Sequence, residues 1–314
     1  MSDSLDISIL IPVFNEGPYL AECLDSIISQ RGINLEICIS DNASSDNSWD
    51  IIQSYKDKAI IRSFRMPKTV SPFENMRKVA EMASGRFVLF LGGDDYLLPN
   101  TLKPLIDHLD NNEHLAGNCL QMTYFSDQTG EREGPYPPNS YGQAVANPEM
   151  IVPFALSHIN YDNFVYGVYY RKDFKRAIEI TSQYCLEPPG LLLFIVLAKS
   201  PWSQRGGVAI SKEVCMMKRV EKSTGAQSMR PTSTILVVRE LFFIRKFVTS
   251  VWITAQFYWT GIYSAKEVLL LFFSSRYHSA RGWLSPGIVL FPFWYIVRRI
   301  AVFFRKQIIR DVSA

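Results

Sequence analysis

The feature that most constrains this chain is a regular alternation of strand and helix patterns over its first 110 residues. Continuous apolar runs, typical of buried strands, occupy residues 6–14, 35–40, 59–64 and 86–91. Amphipathic helix patterns lie between them, and Pro18 and Pro72 stand where a first helical residue is expected. This alternation with short links predicts a parallel sheet with helices on both faces. In such sheets, ligands bind at the carboxyl ends of the strands.

The most polar segments of this half follow the predicted strands, at the edge where a ligand is expected. Asn15 and Glu16 follow the first strand, Asp41 follows the second, and Asp94 and Asp95 follow the fourth after a double glycine. Because the carboxyl ends of parallel strands share one edge, these segments are predicted to meet there.

Adjacent carboxylates such as Asp94 and Asp95 repel each other unless a cation lies between them. A hard divalent cation, Mg²⁺ or Mn²⁺, shared with substrate phosphates would relieve this repulsion and neutralise a leaving diphosphate. The alternative is a solvated acidic turn. Asp41 has two interpretations as well: it accepts a hydrogen bond from a base or ribose, or it forms an Asx turn that caps the next helix. Phe14 either stacks on a base or belongs to the core.

Several classes of protein are excluded by missing motifs. The turn after the first strand has no G-x-G-x-x-G, so a dinucleotide dehydrogenase is not expected, and no phosphate-binding G-x-x-x-x-G-K-[ST] loop occurs. The five cysteines form no C-x-x-C pair, which favours reduced thiols over a zinc site or a disulfide framework. The acidic start lacks a basic segment before an apolar one, so a signal peptide is not expected.

Three segments in order resemble family 2 glycosyltransferases of the GT-A fold: 9–16 (ILIPVFNE), 40–46 (SDNASSD) and 83–95 (ASGRFVLFLGGDD). The resemblance is strong over residues 6–110 and extends more weakly to about residue 220. It implies an α/β, GT-A-type nucleotide-binding domain with a mostly parallel central sheet flanked by helices. It does not identify the sugar.

The resemblance also implies roles for particular residues. Pro12, Phe14 and Glu16 lie where the family lines the nucleotide pocket, and Asp41 lies where a carboxylate reads the base. Asp94 and Asp95 occupy the last two places of the family's D-x-D-D signature, near the ribose and the metal. Gly92 replaces the first acid, which puts more weight on Asp95 as the metal ligand. Arg77 or Lys78 is a candidate for reaching the diphosphate, with a helix-surface charge as the alternative.

Inversion at the anomeric carbon requires a carboxylate that takes a proton from the acceptor hydroxyl. The family places it well after the metal motif, just before an apolar helix, and Glu187 precedes the apolar run 191–198. Glu187 is therefore the predicted base. The alternative for Glu187 is a helix-start carboxylate favoured by the helix dipole. Asp162 and Asp173 are the reserve candidates.

The rear of the chain is basic and aromatic. Residues 201–314 carry 17 Lys and Arg against 5 Asp and Glu, and aromatic side chains alternate with basic ones from 235 to 304. This pattern favours amphipathic helices that lie on an anionic membrane surface. A transmembrane span and a helical subdomain packed on the catalytic core stay as alternatives. Nucleic-acid binding is not expected, because the apolar fraction is too high for a basic stacking face.

These patterns predict a GT-A glycosyltransferase domain over residues 1–225, with a nucleotide-sugar half (1–110) and an acceptor half (111–225). Residues 226–314 are the predicted membrane-associating region. The predicted function is inverting, metal-dependent transfer of a sugar from a nucleotide-sugar donor to a hydroxyl of a lipid-linked saccharide acceptor, in bacterial surface-polysaccharide synthesis at the cytoplasmic face of the inner membrane. The alternative is a catalytically silent sugar-nucleotide-binding or scaffold protein with the same fold.

Overall fold

A computed structural model describes residues 5–136, 144–145, 165–184 and 203–220 of the chain. The chain divides into two compact units, Met1–Ser233 and Thr234–Ala314, and every described residue belongs to the first. The predicted membrane-associating region, 226–314, lies outside the described residues. The predicted boundaries between the domains of this chain, 1–225 and 226–314, therefore stay predictions.

The described residues form ten strands and five helices in one α/β unit. The strands are β1 (Ile7–Val13), β2 (Leu35–Asp41), β3 (Ile61–Arg65), β4 (Phe87–Phe90), β5 (Tyr96–Leu97), β6 (Gly117–Phe125), β7 (Arg132–Tyr136), β8 (Ala144–Val145), β9 (Gly167–Tyr170) and β10 (Val208–Arg219). The helices are α1 (Gly17–Ile28), α2 (Ser48–Ser54), α3 (Pro72–Met82), α4 (Leu102–Asp110) and α5 (Arg171–Tyr184).

The first four strands are parallel neighbours in the order β3-β2-β1-β4, as the sequence predicts. In the register, Val13 at the end of β1 faces Asp41 at the end of β2, and Leu10 faces Phe90 of β4. Apart from Pro12, the apolar side chains of β1 are fully buried, which explains its unbroken apolar pattern. The carboxyl ends of these strands therefore form one edge of the sheet.

The remaining strands make the sheet mixed. Strand β9 is inserted between β4 and β6 and is antiparallel to both, whereas β10 is parallel to β6 and antiparallel to β5. The prediction of a mostly parallel sheet is thus confirmed for β1 to β4 and wrong for the sheet as a whole. An apolar run marks a strand but does not set its direction, and the long connections that lead to β9 and β10 permit either direction.

The helix starts agree with the sequence at α3 and differ at α4. The Ser71 side chain accepts a hydrogen bond from the Glu74 N–H (3.2 Å) at the start of α3, as expected of an N-cap. The predicted helix at Pro99 begins instead at Leu102. Within the described parts of the chain, no helix is both long and apolar enough to cross a membrane.

Candidate functional site

The loop after β1 is hydrogen-bonded to the loop after β2. The Asn15 N–H donates to Ser44 Oγ (2.9 Å), and the Gly17 N–H donates to Asp46 Oδ2 (2.9 Å). In the opposite direction, the Ser45 N–H donates to Asn15 Oδ1 (2.9 Å). These bonds close the first two polar segments into one rigid edge.

Burial raises the pKa of Asp46, but hydrogen bonds donated by the Ser48 hydroxyl, the Ser48 N–H and the Gly17 N–H outweigh burial and hold that pKa below its ordinary value. The Asp46 carboxylate is therefore charged at neutral pH and connects the two loops through its hydrogen bonds.

The glycine-rich segment after β4 packs against the same place. A Cβ added at Gly93 would lie 3.2 Å from Glu16 Cγ, so a side chain at this position would push against the loop after β1. Cys23 Sγ of α1 lies 3.5 Å from the Gly92 carbonyl oxygen. All three predicted polar segments, including Asp41 and Asp95, thus reach one edge of the sheet.

Asp41 is fully buried and engaged by the protein itself. Its carboxylate pairs with Arg65 Nε (3.2 Å) and accepts a hydrogen bond from the Ser44 N–H (3.3 Å). This bond comes from the residue three positions on, and α2 begins at Ser48 with Asn47 at its N-cap, so Asp41 does not cap that helix. Contact between Asp41 and a base stays a prediction.

The other predicted nucleotide residues are placed as follows. Pro12, on β1 opposite Ser40 of β2, and Phe14, just beyond β1, are both half-buried at this edge. Arg77 lies on the exposed side of α3, where it pairs with Glu74 (2.7 Å) and Glu81 (2.6 Å). To reach a diphosphate, the Arg77 guanidinium would have to leave both partners, and this role stays a prediction.

Sequence reasoning missed the basic residues that face the aspartate pair. Asp95 is 1% exposed, and Oδ1 of its carboxylate accepts a hydrogen bond from the Arg219 N–H (2.9 Å), while Oδ2 lies 3.5 Å from Lys218 Nζ. Lys218 also donates to the Tyr166 hydroxyl (2.6 Å). A signal existed in the sequence, because two basic residues directly follow the apolar run Cys215–Met217.

Arg219 is the central support of this edge. Its Nε donates to the Asp94 carbonyl oxygen (3.0 Å), one terminal nitrogen donates to Glu22 Oε2 (2.6 Å), and the other pairs with Asp127. Its guanidinium also lies over the Tyr19 ring, 4.3 Å from the centroid. With its side chain 2% exposed, Arg219 joins β10, α1 and the segment after β4.

Asp94, Asp95 and Lys218 form a partly buried group of charges, and their environment shifts the pKa of each. Burial and the neighbouring Asp95 raise the pKa of Asp94 to about 6, and burial also raises the pKa of Asp95. Burial alone would lower the pKa of Lys218, but Tyr166 and Asp95 raise it above its ordinary value. Lys218 is therefore a fixed positive charge, and the aspartate pair still lacks full compensation.

The aspartate pair suits a divalent cation that phosphates also bind. Among the described residues, no cluster of three or more His, Cys, Asp and Glu could hold a metal. No side chain of the described segments donates a hydrogen bond to the Asp94 carboxylate. One or two carboxylates suffice for Mg²⁺ when substrate phosphates supply further oxygens. A Cβ at Gly92 would lie 2.8 Å from Asp94 Oδ1 and 2.9 Å from Asp95 Oδ2, so a third acid there would require both carboxylates to move from these positions.

The candidate bases are mostly outside the described residues, which include neither Glu187 nor Asp162. Asp173 is buried on α5, 3.7 Å from Arg205. The prediction of Glu187 as the base therefore stays a prediction.

Comparison with known proteins gives a consistent family. The model of a family described as "Glycosyl transferase family 2" matches residues 8–178. Over 117 residues the chain is 35% identical to the GalNAc(5)-diNAcBac-PP-undecaprenol beta-1,3-glucosyltransferase of Campylobacter jejuni, covering 36% of this chain and 38% of that protein. Over 111 residues it is 37% identical to the abequosyltransferase RfbV of Salmonella typhimurium, covering 33% of each chain. The matched region is thus well under half the length of either relative.

Among solved structures, the chain resembles S. aureus TarS 1-349 in complex with UDP-GlcNAc. The TM-score is 0.60 at 17% identity, and the match covers 80% of this chain and 66% of that chain. A likeness at this identity shows the fold alone, and it confirms the predicted GT-A-like α/β architecture.

Proposed function

The chain belongs to glycosyl transferase family 2, and from this premise we propose that it transfers a sugar from a nucleotide-sugar donor to a hydroxyl group of a glycan acceptor. The observation that carries the proposal is the meeting of three polar loops at the carboxyl ends of β1, β2 and β4. Ligands bind parallel sheets at this edge. The TarS relative was solved with a nucleotide sugar, which supports the same class of donor.

In this proposal the nucleotide lies along the edge described above. Pro12 and Phe14 contact the nucleoside, Asp41 accepts a hydrogen bond from the base, and Glu16 lines the pocket beside Gly93. Asp94 lies near the ribose and the diphosphate, and Arg77 is retained as a candidate diphosphate contact. Pairing with Arg65 orients the Asp41 carboxylate, which suits an acceptor of hydrogen bonds.

We propose Mg²⁺ or Mn²⁺ as the cofactor, bound at the Asp94 and Asp95 pair together with phosphate oxygens. A divalent cation there would neutralise the charge that develops on the leaving diphosphate. The protein's own part is to position the pair: the Arg219 N–H and Lys218 hold the Asp95 carboxylate, and Arg219 Nε holds the backbone of Asp94.

The chemistry we propose is a single displacement with inversion. Glu187 takes the proton of the acceptor hydroxyl, whose oxygen bonds to the anomeric carbon as the bond to the diphosphate oxygen breaks. The electron pair of the broken bond stays on the nucleoside diphosphate. The role of Glu187 rests on the order of motifs along the chain.

The acceptor and location complete the proposal. A lipid-linked saccharide in bacterial surface-polysaccharide synthesis is supported by the name of the Campylobacter relative, which contains undecaprenol. The basic aromatic pattern of residues 235–304 supports a peripheral position on an anionic membrane, at the cytoplasmic face of the inner membrane.

A panel of nucleotide sugars tests the donor class. Thermal unfolding of the full chain with Mn²⁺ is expected to show a raised Tm for one or a few nucleotide sugars, because ligands stabilise the state they bind. Hydrolysis of that donor should fall about a hundredfold or more in Asp94→Asn. Binding without hydrolysis in the wild type would favour the silent sugar-nucleotide-binding protein, and no shift with any donor would contradict both.

A further inference from the structure

Lys218 holds a place beside the aspartate pair that an external cation could otherwise take. Its ammonium lies 3.5 Å from Asp95 Oδ2 and 4.0 Å from the centroid of the Tyr166 ring, and it donates to the Tyr166 hydroxyl (2.6 Å). The Lys218 side chain is only 22% exposed. These three contacts hold the Lys218 ammonium in one place, whereas the ammonium of a solvated surface lysine is free to move.

The two aspartates are consequently unequal. Both carboxylate oxygens of Asp95 face donors from β10, namely the Arg219 N–H at 2.9 Å and Lys218 at 3.5 Å. The Asp94 carboxylate receives no such bond from a side chain in the described segments. Apart from the hydrogen bond from its own backbone N–H, the Asp94 carboxylate is therefore the one of the two that is available to an added cation.

We infer that Lys218 is a built-in counter-cation for Asp95, so that the protein offers a divalent cation one carboxylate, Asp94, and binds the cation firmly only together with a diphosphate. The part of the inference that concerns the diphosphate rests on the proposed function. The pairing of Lys218 with Asp95 does not depend on that function. It makes Lys218 a positioning residue, since it acts through Asp95 and is not assigned a contact with substrate.

Electrostatics explains why one lysine has this effect. A fixed ammonium a few ångströms from a divalent cation repels it, and the repulsion is weakly screened in a half-buried site. One carboxylate binds Mg²⁺ or Mn²⁺ weakly in water, because these ions give up their hydration shell reluctantly. Phosphate oxygens would supply the missing negative charge, so the cation and the nucleotide should bind together.

The test measures Mn²⁺ binding to the full chain without nucleotide. The electron paramagnetic resonance signal of free Mn²⁺ reports how much of the ion stays unbound. We expect weak binding in the wild type and at least tenfold tighter binding in Lys218→Met, because Asp95 is then released to the cation. Lys218→Arg should behave as the wild type, since it keeps the charge. Lys212→Met, an exposed lysine on the same strand, is the matched control and should not differ from the wild type.

A second change identifies the ligand that Lys218→Met releases. In the double variant Lys218→Met with Asp95→Asn, the gain in Mn²⁺ affinity should disappear. Equal weak binding in Lys218→Met and wild type, or tight binding in the wild type, would overturn the inference. If Lys218→Met unfolds, Lys218→Gln replaces it, and unfolding of both would show that Lys218 serves stability and would also overturn it.

These outcomes are separate from those of the proposed function. Mn²⁺ binding is read without any donor, so Lys218→Met can gain affinity in a chain that hydrolyses no nucleotide sugar. Conversely, a chain that hydrolyses its donor while Lys218→Met leaves Mn²⁺ binding unchanged supports the transferase and rejects the role of Lys218.

Discussion

Glu36 and Asp94, two carboxylates at opposite ends of the central sheet, are compensated by the protein in opposite ways. At the amino ends of β1 and β2, Glu36 is 1% exposed and accepts hydrogen bonds from Ser8 Oγ (2.6 Å), the Ser84 N–H (2.7 Å) and Ser84 Oγ (2.7 Å). Burial raises the pKa of Glu36, but these bonds and the nearby Arg62 together hold that pKa below its ordinary value. This carboxylate is fully satisfied by the protein.

At Asp94, beyond the carboxyl end of β4, the balance is reversed. Burial and mutual repulsion raise the pKa of Asp94 to about 6, even with Lys218 and Arg219 nearby. The protein thus keeps a charge there that costs folding free energy. Groups with such perturbed pKa values at a ligand-binding edge are candidates for function, whereas a satisfied buried carboxylate is typical of structure.

The largest expected effect comes from Arg219, which holds the carboxyl-end edge together. Arg219→Met should lower the free energy of unfolding by about 2–4 kcal/mol, because it removes a buried guanidinium and leaves polar groups without partners. We place the value at this level because Glu22 and Asp127 are themselves more than half exposed and can be hydrated. Urea denaturation followed by circular dichroism measures it.

Arg77 is the matched control, because it also pairs with two carboxylates but is 42% exposed. Arg77→Met should cost less than about 1 kcal/mol, the usual value for exposed ion pairs. Equal losses in the two variants would mean that Arg219 does not organise the edge.

Much of the front of the sheet could be predicted because its signals are local. The apolar runs of β1, β2 and β4, the Ser71 cap and the polar loops after the strands all lie within short windows of sequence. The direction of parallel neighbours then fixes the shared edge without further information. Asp41, Asp94 and Asp95 could be placed together on that basis alone.

The rest could not be predicted, since it depends on contacts between distant parts of the chain. Lys218 and Arg219 lie 123 and 124 positions after Asp95, and no short motif links them. The antiparallel insertion of β9 is likewise set by its two neighbours and not by its own pattern. Charge compensation at the site is therefore visible only in three dimensions.

A smaller effect tests whether the two carboxylate sites differ in sign. At pH 7 in metal-free buffer, Glu36→Gln should lower the free energy of unfolding by about 1–2 kcal/mol, through the loss of hydrogen bonds to a charged group. Asp94→Asn should raise it by about 1 kcal/mol, because a carboxylate whose pKa is raised on folding destabilises the folded state when ionised. Urea midpoints of both variants against the wild type measure these changes.

The two substitutions are expected to change the free energy of unfolding in opposite directions. A loss of stability in Asp94→Asn as large as that in Glu36→Gln would place Asp94 among the structural carboxylates. Asp107→Asn, which removes an exposed partner of Lys103 on α4, serves as the control and should stay within about 0.5 kcal/mol of the wild type.

The smallest expected effect concerns pH. Each variant differs from the wild type in its free energy of unfolding, and the two differences should disappear at different pH values. The folded pKa of Glu36 lies below the unfolded value, so its contribution is present above the ordinary pKa of about 4.3 and is lost as the pH falls through the folded value. The gap between wild type and Glu36→Gln should therefore stay open to about pH 5 and narrow only in stronger acid.

Asp94 follows the opposite rule. Its folded pKa, about 6, lies above the unfolded value, so the wild type gains stability as the pH falls from 6 towards 4, and the advantage of Asp94→Asn should vanish over that range. Urea midpoints measured at half-unit steps from pH 7 to 3.5 give the pH at which each variant becomes as stable as the wild type. We expect these two pH values to differ by at least one pH unit. If both gaps closed together, the two edges would share one electrostatic environment, and the raised pKa of Asp94 would no longer single out the carboxyl end of the sheet as the functional edge.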